Sequence, residues 1–176
     1  MNPAVVLRDR IEANFVRRYP VDRKQIPGRP TVLVAAVDPE IRRSLSDLLR
    51  SLPINTIWTY GVEDVKRVLA GEEIAACLCG FWLQDGTYRE IIRHARRGRM
   101  DVPIIIVSAP NCPQEYRDYL AAMNIGALDF LCHPYQQVEL EEMLESAIAG
   151  YSSSLRRQVS ESNENGRDHF RGKGTA

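Results

Sequence analysis

Cys77 and Cys79, two apart, and Cys132 beside His133 are the residues whose types come closest to a soft-metal ligand set. Residues two apart on an extended segment share a face, whereas neighbours point to opposite faces. Cys132 and His133 therefore do not converge easily, and cysteine is among the most buried residue types. Core thiols are the plainer reading, with Cys112 alone in a segment expected to be exposed. Arg93 to Arg99 reads RHARRGR, four Arg in seven residues. Without interleaved aromatics this is a solvated helix end favoured by the helix dipole rather than a nucleic-acid surface. Asp85, before Gly86, reads as a loop carboxylate that caps the helix after it. Asp38 followed by Pro39 reads as an N-cap and the first helical position.

These residues need elements to position them, and the hydrophobic pattern supplies an alternating series. "TVLVAAV", "INTIWTY", "IAACLCGF", "VPIIIVSA" and "ALDFLCH" are short apolar runs, read as strands, several of them buried on both faces. Between and after them come helical stripes: Ile41, Leu45, Leu48, Leu49 and Leu52; Val62, Val65, Val68 and Leu69; Tyr88, Ile91, Ile92 and Ala95. Tyr116, Leu120 and Met123 form a fourth stripe, expected to face inward. Leu140, Met143, Leu144, Ala147 and Ile148 form a fifth. Such alternation requires parallel pairing with right-handed crossovers and helices on both faces. Ligands of such sheets sit beyond the carboxyl ends of the strands, which here are Ala35, Ala36, Val37, Gly80, Ser108 and His133.

The chain has 176 residues, room for one domain with flanks. Apolar residues make up 44%, enough for a sizeable core, and no apolar run is long enough to cross a bilayer. The first residues put acids and Arg where a signal peptide has its apolar core, so the reading is a soluble, cytoplasmic protein. Its 23 basic residues balance 23 acidic ones, leaving no net charge to draw it to nucleic acid or an anionic membrane. The balance is uneven along the chain. Residues 1–30 carry 7 basic and 3 acidic groups, 31–150 carry 11 and 17, and 151–176 carry 5 and 3. Residues 1–30 are read as a short amphipathic helix, with Leu7, Ile11 and Phe15 in phase, and a Pro-rich linker. That helix is expected to dock on the domain or to serve a dimer. Residues 31–150 are the domain, and 151–176, with little to bury, are expected to be a disordered tail.

Over Val32 to Ile148 the chain resembles the receiver domains of two-component response regulators. The resemblance rests on "VLVAAVDPEIRRSLSDLL", "LQDGTYREIIRHAR", "VPIIIVSA" and "IGALDFLCHPYQQVELEEML", in this order and at matching mutual spacing. It implies a flavodoxin-like (CheY-like) α/β fold, a five-stranded parallel sheet of order 2-1-3-4-5 with helices on both faces.

The departures from that family bear on function. Receivers hold Mg²⁺ through an acidic pair at the end of the first strand, and those positions are Ala36 and Val37 here. The phosphoacceptor Asp position is Gly80, and the Lys before Pro is replaced by His133. Ser108 keeps the hydroxyl position and Phe130 the switch aromatic of the fifth strand. Phosphoryl transfer to a carboxylate needs the carboxylate as nucleophile and a hard cation held by oxygen ligands. Neither is available, so a degenerate, pseudo-receiver member is expected, with no metal, no cofactor and no enzymatic activity. Ser108 and His133 are brought together by the resemblance, but a nucleophilic dyad lacks an orienting third group, and a pocket remnant is the plainer reading. Phe81 and Trp82 follow Gly80 and are expected to fold over the vacated mouth. A flavin or nucleotide would need a phosphate-cradling loop after the first strand, and "AAVDPEI" has no Gly there.

The function expected is regulation of a phosphorelay by protein–protein contact, independent of phosphorylation. By resemblance, the surface for it is the face of the fourth helix, fifth strand and fifth helix, contacting a signalling protein or a second copy in a homodimer. The alternative is phosphorylation at a non-standard residue, such as Ser108, His133 or Ser152.

Overall fold

The structure, a computed structural model, describes residues 26–110 and 115–168. Its elements run β1 (Thr31–Ala35), α1 (Pro39–Leu49), β2 (Asn55–Thr59), α2 (Val62–Gly71), β3 (Ala76–Gly80), β4 (Trp82–Leu83), β5 (Gly86–Thr87), α3 (Tyr88–Arg97), β6 (Ile104–Val107), α4 (Glu115–Ile125), β7 (Asp129–Leu131) and α5 (Gln137–Asp168). The main sheet has the order β2-β1-β3-β6-β7, every pair parallel. With β4 and β5 set aside as a two-stranded hairpin, this is the 2-1-3-4-5 order implied by the resemblance.

The period-two alternation of β1 explains the layers. Leu33 and Ala35 pack into a core with Val65 of α2, Ile91 and Ile92 of α3 and Ala122 of α4. Val32, Val34 and Ala36 face the opposite core, built by Ile41 and Leu45 of α1 and Leu140 and Leu144 of α5. The strand is therefore apolar throughout because both faces are covered. Cys77 and Cys79 share one face as their spacing requires, and both are buried in the α2–α4 core. Burial pushes the Cys77 thiol up to about 12, and pushes Cys79 up as well with help from Cys77. They are core residues held as neutral thiols, and Cys112 lies outside the described residues.

Two details of the helices differ from the sequence reading. Leu120 is 42% exposed while Ala122 is fully buried, so α4 presents a small residue, not a Leu, to the core near Phe130. The last helix does not end near Ile148: α5 continues to Asp168, where a disordered tail was expected from 151. Its glycines, Gly150 and Gly166, cost only about 1 kcal/mol each in a helix already nucleated. The hydroxyls of Ser152 and Ser153 bond back to the carbonyls of Ile148 and Ala149, each at 2.9 Å, without leaving the helix. Of residues 1–30, the expected helix lies outside the described residues. Ile26 to Pro30 are held by the buried Asn55, whose amide group bonds the Ile26 N–H at 2.7 Å and the carbonyls of Ile26 and Arg29 at 3.1 Å.

Asp85 caps the preceding helix, not the following one. The N-cap of α2 is Gly61, which has no side chain to offer. The Asp85 carboxylate arrives instead from 23 residues away, accepting the N–H of Val62 and, at 3.1 Å, that of Glu63. A Cβ on Gly61 would approach Asp85 Oδ1 to 2.9 Å, and one on Gly86 would meet Val62 Cγ2 at 2.9 Å. Both glycines thus admit a close approach of the β4–β5 hairpin to α2. The following helix, α3, is opened by Thr87, whose amide and hydroxyl both donate to the Glu90 carboxylate. The hydroxyl bond is the main cause holding the Glu90 carboxyl below its ordinary range. The Asp85→Ala variant is expected to remain folded and to lose about 1–2 kcal/mol, read as a lower urea midpoint at unchanged slope. An unchanged midpoint would show the cap contributes nothing.

Candidate functional site

The site is the crevice at the carboxyl ends of β1, β3, β6 and β7, and the sheet register decides which residues meet in it. Ala35 is opposite Cys79 and Thr59, Gly80 opposite Val107, and Val107 opposite Leu131. One step beyond, Ala36 is fully buried, and its N–H bonds the Thr59 carbonyl at 3.2 Å. A Cβ built on Gly80 would lie 3.6 Å from the Ala35 carbonyl oxygen and 3.8 Å from the Cα and Cβ of Ala36. Ala36 and Gly80 are therefore direct neighbours across the crevice, and the floor they form is methyl, methylene and backbone. Val37 continues the same turn.

Ser108 is fully buried. Its N–H bonds the Leu131 carbonyl at 2.9 Å, and its hydroxyl accepts the N–H of His133 at 2.8 Å. Ser108 and His133 do meet, but through the backbone of His133. The imidazole itself packs edge-on against Tyr135, with centroids 5.3 Å apart, and its Nε2 lies 3.9 Å from a carboxylate oxygen of the exposed Glu40. The Tyr135 hydroxyl donates to the Ser108 carbonyl at 2.5 Å. Burial, reinforced by Asp38, Glu40 and Cys132, drives that phenol well above its ordinary range, so it stays a donor at all physiological pH. The result is a structural clasp between the ends of β6 and β7. Its His–Pro peptide bond, His133–Pro134, is cis.

The sequence reading missed Arg42. Standing on the first turn of α1, its Nη1 donates to the carbonyls of Ala36 at 2.9 Å and Thr59 at 3.1 Å. The same guanidinium lies over the ring of Tyr60 at 3.8 Å and that of Trp58 at 5.0 Å. A permanent cation is thus fixed on the main chain of the position where receivers begin their metal-binding pair. Its aromatic shelf at Trp58 and Tyr60 was the available signal, since Arg stacks on such faces.

The residues present do not fit Mg²⁺. Ala36, Val37 and Gly80 offer no side-chain oxygen, and the Ala36 carbonyl already accepts from Arg42. The nearby Asp38 is committed to capping α1, accepting the N–H groups of Glu40 at 2.8 Å and Ile41 at 3.1 Å. Among the described residues no group of three or more His, Cys, Asp or Glu gathers in a metal-holding arrangement.

Two aromatic residues after Gly80 take unlike positions. Trp82 does not cover the crevice as expected: it is 75% exposed on β4. Phe81 packs between Tyr88, centroids 5.1 Å apart, and the buried Phe130, 5.6 Å apart. Phe130 in turn meets Tyr119 of α4 at 6.0 Å, edge to face. A row of rings so connects the end of β3 with the outer surface of α4.

The Arg42→Ala variant is expected to lose about 1–3 kcal/mol, because two carbonyls lose a charged donor. Arg42→Lys is expected to recover only part of this, since an ammonium lacks the planar fork that donates and stacks together. Chemical denaturation of the two variants tests both statements, and full recovery by Lys would assign the effect to charge alone.

No family model and no curated relative matches the chain. Solved structures do. The signal receiver domain of an HD domain-containing protein from Pseudomonas fluorescens Pf-5 matches with a TM-score of 0.65 at 19% identity, over 76% of this chain and 96% of that one. The receiver domain of a sensor histidine kinase from Pseudomonas aeruginosa PAO1, described with magnesium coordinated in its active site cleft, matches at 0.60 and 23% identity, over 69% and 99%. A CheY-like response regulator receiver domain from Methanospirillum hungatei JF-1 matches at 0.61 and 16% identity, over 72% and 99%. The chain has the fold of a response-regulator receiver domain.

Proposed function

We propose that this chain is a receiver-like regulator in a two-component or phosphorelay setting, that it acts by protein–protein contact, and that it takes up no phosphoryl group itself. The observation that carries the reading is the composition of the crevice: Gly80 faces Ala36, and Arg42 holds the Ala36 carbonyl. Attack on a phosphodonor needs a nucleophilic oxygen at the third-strand position, and glycine has none. The reading includes the absence of an enzymatic role. Phosphorylation at Ser108 instead is disfavoured by its full burial and by the His133 N–H seated on its hydroxyl.

The contact surface of this reading is the face of α4, β7 and α5. Tyr119 and Leu120 on α4 and Leu128 before β7 are large apolar residues left exposed there. Val138 on α5 is 64% exposed. Along α5 run Glu139, Glu142 and Glu145, without a basic residue between Gln137 and Gly150. Exposed apolar residues together with acidic ones on α5 suit a partner that offers apolar and basic groups. In receivers such a face changes with phosphorylation. Here no differential ligand enters the crevice, and an equilibrium shifts only as far as a ligand distinguishes its states. The face is therefore held in one arrangement or set by the partner itself.

Incubation with acetyl phosphate and Mg²⁺ is expected to leave the intact mass unchanged, and a stoichiometric gain of one phosphoryl group would overturn the phosphate-independent reading. A pull-down followed by mass spectrometry is expected to recover a signalling protein with the wild-type chain. Recovery should fall by about tenfold with Leu120→Asp, the loss of roughly one buried apolar anchor. Equal recovery would place the contact on another face.

A further inference from the structure

Two helices on opposite sides of the sheet carry unbalanced charge of opposite sign. α3 packs in the core with Leu33 and α5 in the core with Val34, so the sheet lies between them. On α1 and α2 the surface acids are compensated three residues along, Asp47 by Arg50, Glu63 by Lys66 and Asp64 by Arg67. On α3, Arg89, Arg93, Arg96 and Arg97 are exposed, and the one acid, Glu90, is half-buried and bound to Thr87. On α5, Glu142 and Glu145 are exposed behind Val138 on one stripe. Among the described residues none of these arginines and neither of these two glutamates forms an ion pair. The helix dipole accounts for Arg96 and Arg97 in the last turn of α3, but Arg89 stands in the first turn, the unfavourable end for a cation. Like charges three or four apart repel, so each stripe gains from an opposing one outside its own helix.

We propose that these two stripes meet between copies of this chain, α3 of one molecule against α5 of the next. The inference rests on the α4–β7–α5 contact surface proposed above and names its partner, a second copy that offers the apolar and basic groups this face requires. The exposed Trp82, paired with Thr87 at the start of α3, supplies the apolar group. Its hairpin is held by the Asp85 cap on α2, so the ring is presented on a fixed base. Val138, also exposed, heads the acidic stripe as Trp82 heads the basic one. Glu142 and Glu145 are three apart and Arg89 and Arg93 four apart, about 4.5 Å and about 6 Å along their helices, so both pairs can form at once. Because the stripes occupy opposite sides of one sheet, the contact is heterologous. A copy that engages its α5 still presents its α3, and copies add in a row rather than closing as a two-fold dimer.

Sedimentation velocity of the full chain over about a hundredfold range of concentration tests the contact. At low salt the average mass should rise with concentration past that of a dimer, and about 0.5 M salt should abolish the rise by screening. Arg93→Glu and Glu142→Arg should each weaken association about tenfold, since each sets like charges against one another. Mixing the two variants, or combining them in one chain, should restore it, which also shows that both remain folded. Loss without restoration would overturn the pairing of α3 with α5, and a mass that stops at the dimer would overturn the open row. A wild-type mass that stays monomeric throughout would overturn the second copy as partner, while the α4–β7–α5 surface is judged separately by recovery with Leu120→Asp. Binding of a single-stranded oligonucleotide by that monomer, and not by Arg93→Glu, would assign the arginines to nucleic acid instead.

Discussion

One guanidinium determines what the crevice can hold. Arg42 is kept in place by two carbonyl oxygens at the ends of β1 and β2 and by two aromatic rings beneath it. A carboxylate-lined pocket would hold like charges about 4 Å apart, repelling by roughly 4 kcal/mol at an effective dielectric of about 20, and would need a divalent ion to relieve this. Ala36, Val37 and Gly80 carry no carboxylate that could repel another there, and the Arg42 guanidinium donates to the backbone oxygens of Ala36 and Thr59. A second cation brought there would meet a like charge and no anionic ligand. The carboxylates that remain nearby have structural work, Asp38 on α1 and Asp85 on α2. The crevice is therefore held together by hydrogen bonds to main chain, independent of any ion.

The same constraint bears on how the rest of the molecule can respond. The rings of Tyr88, Phe81, Phe130 and Tyr119 follow one another from the end of β3 to the surface of α4. In a packed row of this kind, a change at one end requires the neighbours to repack, because interiors are close to crystalline density. The Tyr119 end of the row is exposed at the surface of α4. Ser108 and Tyr135 tie β6 to β7 through hydroxyl and carbonyl bonds.

How much of this was legible in the sequence varies with the physics involved. The five main strands and the helices between them are legible because both faces of the sheet must be covered, so strands stand out as short apolar runs and helices by a period of 3.6. The order of the strands came from the resemblance and is the order seen. Ala36, Gly80, Ser108 and His133 could be placed at the strand ends by counting alone. What escaped depends on contacts between distant residues. That Asp85 caps α2 follows from Gly61 lacking a side chain 24 positions earlier, which no local pattern contains. The exposure of Trp82 depends on a hairpin of two-residue arms, too short for alternation to show. The rotation of α4 that exposes Leu120 is fixed by packing against Phe130, and α4 has little apolar asymmetry of its own to fix it. The continuation of α5 past Gly150 is hidden because its polar composition is that of a disordered tail, whereas a helix already begun on the domain needs only compatible residues to go on.

Fold and chemistry separate cleanly in this molecule, and the reason is where each is encoded. The two cores lie on residues that alternate along the middles of the strands, Leu33 and Ile57 on one side and Val34 and Leu78 on the other. The chemistry of a receiver lies one step beyond, on the residues that leave the sheet. Val37 and Gly80 at those ends lie outside the two cores, so the fold does not depend on which side chains stand there. Stability can even gain, since buried apolar residues carry no desolvation penalty where charges would.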